Sequence, residues 1–327
     1  MLNSTVASAR GTDVTTESPE RWRVSTLSAL TAEGTHSESF TMRDWGLFIG
    51  PGLIWGASFV FIAESLQSFA PATVTFLRIL IGCAALAVIP GARRPVERSA
   101  WLRIIALSVV WLAIPMTLFP LAQRHVTSSL AGMLNGAIPV FAALVSTLLL
   151  RRLPGVNQRW GLLLGCVGIV MMGIPSLHDG RSSIVGVLMI LAAVAFYGVA
   201  VNLNVPLVQR YGSLAVFWRA GIVASVLTAP FGIAGFAHST VEVRPLMALI
   251  VLGVFGTGVA FVLMGMLSAR VGSTRSSALT YLEALVALVL GVVVRHDRVR
   301  PLEVIGCVVI LGGAWLTSQS EGLDTAL

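Results

Sequence analysis

The sequence predicts an all-α, polytopic membrane protein of ten transmembrane helices, arranged as two inverted five-helix repeats. Three observations carry that prediction. The 327 residues are 56% hydrophobic and only 11% charged, whereas soluble domains hold roughly 45–50% apolar and about 25% charged residues. The apolar residues gather into runs of about 20, the length that crosses about 30 Å of hydrocarbon. Short motifs also recur at a nearly constant offset, so the second half repeats the first. A chain of this composition is not a soluble enzyme, a disordered protein or a nucleic-acid binder. Its net charge of +7 comes from 22 basic residues, all Arg, most of them in short loops between apolar runs. Basic loops of that kind meet anionic lipid.

Residues 1–44 are rich in Ser, Thr and Glu and lack an apolar run of even ten residues. They read as a disordered cytoplasmic tail and not as a signal peptide. Ten apolar runs follow, at 45–63, 72–90, 104–122, 128–150, 160–176, 184–204, 214–236, 246–268, 277–295 and 302–319, with a short tail over 320–327. Barrel strands would be about ten residues long with strict alternation, which these continuous runs do not show. With the N-terminal tail in the cytoplasm, fourteen Arg residues fall on the inner side and six on the outer, and Arg78 and Arg219 lie within spans. The first half follows the positive-inside rule; the second does not, because Arg295, Arg298 and Arg300 crowd one outer loop.

The repeat explains that anomaly. Phe76-Leu77-Arg78 matches Phe217-Trp218-Arg219, Trp55-Gly56 matches Tyr197-Gly198, and Gly161 and Gly168 match Gly306 and Gly313, at offsets of 141, 142 and 145. The first repeat then covers 45–176 and the second 184–319. Five spans per copy force the second copy into the membrane from the opposite side. Inverted repeats place the substrate site at their interface, near the midplane.

Leu134-Asn135-Gly136-Ala137-Ile138-Pro139, leading to Gln158-Arg159-Trp160-Gly161, resembles the EamA-type repeat of the drug/metabolite transporter superfamily. So does Thr280-Tyr281-Leu282-Glu283-Ala284, leading to Glu303-Val304-Ile305-Gly306. Trp55-Gly56-Ala57-Ser58-Phe59 and Phe76-Leu77-Arg78 are similar to its first- and second-helix motifs. The resemblance covers about residues 45–319. It implies a carrier in a bacterial inner membrane, often one exporting amino acids or other small metabolites. Two positions depart from the family pattern: Arg152 stands where an acid is usual, while Asp297 keeps an acid at the equivalent place of the second repeat, and Ala284 replaces the usual Pro.

Costly polar groups inside the spans are the candidate site. Glu283 lies seven residues into the ninth span, roughly 9 Å below the cytoplasmic edge of the hydrocarbon at 1.5 Å per residue. An ionised carboxylate there costs several kcal/mol unless paired or reached by water. It reads as a binder of a proton or a substrate amine, or else as a structural ion pair. Arg219 stands at a similar depth on the same repeat, which suggests that it holds Glu283 ionised. Arg78 falls in the other leaflet, and either Arg could instead snorkel to its interface. Asn135, Tyr281, Trp55 and Tyr197 are further cavity linings, with helix–helix hydrogen bonding or plain packing as the alternatives.

No catalytic elbow, phosphate loop or metal-ligand spacing occurs. Cys83, Cys166 and Cys307 read as buried apolar fillers. The expectation is a cofactor-free secondary carrier in the cytoplasmic membrane, monomeric or homodimeric, working by alternating access on a small metabolite or drug-like compound. Efflux is the expected direction, and proton coupling is a hypothesis. A metabolite or nucleotide-sugar-type exchanger of the same fold, supported by Arg at both cavity mouths, is one alternative; an intramembrane lipid-modifying enzyme is the other.

Overall fold

The computed structural model describes residues 40–150, 156–178 and 184–318. The expected tail before residue 40, Arg152 and the stretch 320–327 lie outside the described residues. Those described form helices and no strand. In chain order they are α1 (Met42–Ser65), α2 (Pro71–Ala87), α3 (Trp101–Leu107), α4 (Ile114–Ala122), α5 (Ser128–Asn135), α6 (Ile138–Leu150) and α7 (Val156–His178). Then come α8 (Ile184–Tyr211), α9 (Ser213–Gly235), α10 (Val243–Val251), α11 (Ala260–Ser277), α12 (Leu279–Arg295) and α13 (Pro301–Ser318). Two π turns, Ser108–Ala113 and Leu252–Val259, join α3 to α4 and α10 to α11.

Among the described residues, seven stretches are long and apolar enough to cross a membrane: Met42–Ser65, Arg98–Ala122, Ser128–Val145, Ile184–Tyr211, Ser213–His238, Val243–Ser273 and Arg275–Arg295. The expected second, fifth and tenth runs form the shorter apolar helices Pro71–Ala87, Arg159–Pro175 and Pro301–Leu316. Large apolar side chains such as Val170, Val226, Phe231 and Val308 stand exposed on the outside of the bundle. That is costly in water and natural against lipid.

Local chemistry sets the helix ends. Thr41 and Asp44 form a reciprocal capping box at the start of α1, and the Thr127 side chain accepts from the Leu130 backbone N–H at the start of α5. The expected span 128–150 is broken between Asn135 and Ile138. Pro139 has no N–H to return to the Asn135 carbonyl, and its ring crowds that group, so α5 stops in mid-span with Asn135 at its end. Gly272 breaks the run of α11 in an extended left-handed conformation (φ 81°).

Helix α1 packs on α12 and on the α10–α11 segment, α8 packs on α4 and α6, α2 on α9, and α5 on α12. Helices α7 and α13 cross closely: a Cβ on Gly168 would sit 2.6 Å from the Gly306 carbonyl, and one on Gly313 2.6 Å from the Gly161 carbonyl. The two helices therefore run antiparallel. A Cβ on Gly132 of α5 would sit 2.1 Å from the Ala287 Cβ of α12, so the small-residue pattern of this region is used inside the chain. The cysteines correct one expectation: Cys307 is buried, Cys83 is half-buried and Cys166 is exposed.

Gly132→Ala should destabilise the detergent-solubilised protein by about 1–3 kcal/mol, since it overpacks a rigid helix contact. Nothing lies within 4 Å of a Cβ at Gly173, so Gly173→Ala should change stability by less than about 0.5 kcal/mol or raise it slightly. Thermal unfolding midpoints of the two variants check the contrast.

Candidate functional site

The broken span delivers Asn135 to the middle of the bundle. From the end of α5 its Nδ2 donates to Glu283 Oε1, in the early part of α12, at 2.6 Å. Both residues are 3% exposed. Glu283 Oε2 and Asn135 Oδ1 have no hydrogen-bond partner among the described residues, and Glu283 makes no ion pair among them. A buried polar atom left without a partner costs about 1–3 kcal/mol, so its persistence points to a site that receives something.

Glu283 and Asn135 line a cavity of about 50 Å³. Arg78 lines the same cavity. Its Nε donates to Thr257 Oγ1 at 3.1 Å, and Thr257 belongs to the second π turn. The walls are aromatic. Trp55 meets Phe261 edge-on with centroids 4.9 Å apart, while Tyr197 stacks on Phe119 at 6.0 Å. Trp111 fills the gap beside Phe261 at 5.6 Å. The Trp55 indole is fixed by a 2.9 Å bond from Nε1 to the Gly256 carbonyl in the same π turn as Thr257. An arginine, a carboxyl group, an amide and aromatic faces thus share one cavity.

Two expectations need correction. Arg219 does not meet Glu283 and is not among the residues lining the cavity. Its guanidinium donates to the carbonyls of Ala92 (3.0 Å), Arg94 (2.6 Å) and Ala215 (3.1 Å) and lies over the Trp218 ring. Equal depth did not bring the pair together because α9 presents Arg219 to the turn at Pro90–Arg93, whose carbonyls offer acceptors without another acid. Arg78, counted to the opposite leaflet, shares the cavity with Glu283 instead. Trp55, Tyr197 and Asn135 line this space; Tyr281 is not among its lining residues.

Sequence reasoning passed over Phe119, Trp111, Phe261 and Thr257. A signal for two of them was present. Phe119 and Phe261 are separated by the same 142 residues as Trp55 and Tyr197, so extending the repeat offset to every mid-span aromatic would have found them. The acids at the helix ends were missed as well. Glu64 is gripped by Arg244 (2.7 Å) and Arg295 (3.1 Å), and Asp44 by Arg270 (2.5 Å). Among the described residues no group of three or more His, Cys, Asp or Glu could hold a metal ion.

The family model described as the EamA-like transporter family matches residues 45–174 and again residues 184–319. The chain belongs to the EamA-like transporter family. It is 28% identical over 277 residues to a protein of Streptantibioticus cattleyicolor named as a probable terminal-alkyne amino-acid exporter, covering 81% of this chain and 90% of that one. It is 24% identical over 303 residues to a WAT1-related chloroplastic protein of Arabidopsis thaliana, covering 87% of this chain and 71% of that one. A solved crystal structure shares the fold with a TM-score of 0.60 at 19% identity, over 83% of this chain and 94% of its own. This EamA-like protein is thus a multi-pass membrane transporter and not an enzyme.

Arg219→Leu in this EamA-like transporter should cost about 2 kcal/mol, the scale of charged hydrogen bonds lost from buried carbonyls. Combined with Glu283→Gln, the two effects should add within about 0.5 kcal/mol, as for sites that share no partner. A double-mutant cycle on unfolding midpoints reads this directly, and a larger coupling would restore the Arg219–Glu283 pair.

Proposed function

We propose that the chain is a secondary carrier that exports a small zwitterionic metabolite, an amino acid or a compound of like charge pattern, across the cytoplasmic membrane by alternating access. The carrying observation is that Arg78 and Glu283 line one aromatic-walled cavity. Arg78 commits only its Nε among the described residues, leaving the Nη groups for a substrate carboxylate, which guanidinium recognises in two-pronged fashion. Glu283 Oε2 is open to a substrate ammonium or to a proton. The relative named as a probable terminal-alkyne amino-acid exporter supports the same class.

Ten membrane-crossing helices in two inverted repeats are part of this reading. Three features support it. The α7–α13 crossing pairs Gly168 with Gly306 and Gly161 with Gly313, a set that maps onto itself when the repeats are exchanged end for end. The Trp55–Phe261 and Tyr197–Phe119 contacts exchange in the same way. The π turns fall at equivalent places in the two halves. The sugar-nucleotide exchanger reading leaned on Arg at both mouths, and Arg219 is turned to a loop instead.

The test is uptake into proteoliposomes of a radiolabelled amino-acid panel, alongside methyl esters that lack the carboxylate and N-acetyl derivatives that lack the ammonium. Zwitterions should be carried and both derivatives refused. Arg78→Gln and Glu283→Gln should each lower zwitterion transport at least roughly tenfold, the loss of about 1.4 kcal/mol. Wild-type rates in both variants would overturn the assignment of the site.

A further inference from the structure

Helices α5 and α12 are joined at three levels. At the cavity Asn135 meets Glu283. One turn away Gly132 lies against Ala287. At the far end Asp297 Oδ2 accepts from Ser128 Oγ (2.7 Å), Ser129 N (2.9 Å) and Ser129 Oγ (2.9 Å). Asp297 lies just beyond α12 and is turned back over it. Its backbone N–H bonds to the Gly291 carbonyl at 3.0 Å, and the turn requires His296 to be left-handed, with φ 54° and ψ 36°. His296 is the sole non-glycine residue with positive φ among those described. Such a conformation costs roughly 1–2 kcal/mol, so the surroundings hold it for a reason, and what it achieves here is to lay a carboxylate on the first turn of α5. Arg295, next to His296, binds Glu64 at the end of α1, which closes the same end of the bundle.

We propose that Asp297 is a positioning residue for transport: a latch that holds α5 against α12, keeps Asn135 on Glu283 and shuts the cavity on the Asp297 side. This rests on the carrier reading above. Transport through that side requires the latch to part, because the α5–α12 contact lies between the cavity and that end. The sequence does not repeat the latch. The repeat offset of 145 relates Asp297 to Arg152 and Ser128 to Ser273, and an arginine has no acceptor for a serine hydroxyl or a backbone N–H. The latch therefore acts on the Asp297 side, which the proposed topology makes the outer face.

The experiment places a single cysteine at Met264, which lines the cavity, in a full-length background with Cys83, Cys166 and Cys307 replaced by Ala. A membrane-impermeant maleimide is applied to right-side-out and to inverted vesicles. With Asp297 intact, labelling from the Asp297 side should be slow. Asp297→Ala should raise it roughly tenfold, as expected for about 1.4 kcal/mol less closing energy, and leave labelling from the other side no faster. Ser129→Ala, a milder change that removes one donor, should shift it in the same direction, so that the proposal stays testable if Asp297→Ala folds poorly. Unchanged labelling from both faces in a folded Ser129→Ala and a folded Asp297→Ala would overturn the latch. Acceleration at the inner face alone would keep the latch and overturn the topology, and a loss of zwitterion transport without any change in labelling would count against the latch only.

Discussion

A carboxylate inside a membrane protein must be answered by some other group, and here the answer to Glu283 is the amide of Asn135. Several otherwise separate features serve that bond. Pro139 ends α5 at the level of Glu283. Gly132 and Ala287 let α5 approach α12 closely enough for a 2.6 Å contact. Thr127 and Asp297 fix the other end of α5. A single hydrogen bond from an amide holds the carboxyl group in place without supplying a neutralising charge. A structural ion pair would do so and would be costly to open. The arrangement suits a group that must exchange partners.

The two repeat-related arginines show how one motif can serve two ends. Arg78 and Arg219 occupy matching places in the two halves. Arg78 is buried against Thr257 beside the cavity, while Arg219 ties the turn after α2 to α9. In lipid, polar groups find partners inside the protein. Arg219 meets that demand with backbone carbonyls and becomes part of the scaffold. Arg78 meets it only in part. Of the two arginines, only Arg78 is therefore among the residues lining the cavity.

Much of the fold was legible in the sequence because lipid imposes long apolar runs, and their ends are marked by Arg, Pro and Gly. The helical breaks were less legible. Pro139 was visible, but a proline within a span only sometimes interrupts it, and the π turns left no compositional mark. Within the site, Glu283, Arg78, Asn135, Trp55 and Tyr197 could be singled out as polar or amphipathic groups at depth. Their partners could not, because depth along a helix says nothing about the direction around it. That is why depth alone matches Arg219 to Glu283 and counts Arg78 to the other leaflet. The sequence marks Asp297 only as the acid kept at the family's usual loop position, since its contacts depend on a left-handed His296 that no residue preference announces.

The most direct measurement of the central claim is photo-crosslinking of a diazirine-bearing amino acid to the purified full-length protein, with adducts located by peptide mass spectrometry. Adducts confined to the cavity walls, around Trp55, Phe119 and Phe261, and suppressed by unlabelled zwitterion, are the result this account predicts. Adducts concentrated on the lipid-facing groove beside Leu53 and Phe255, with none in the cavity, would contradict it.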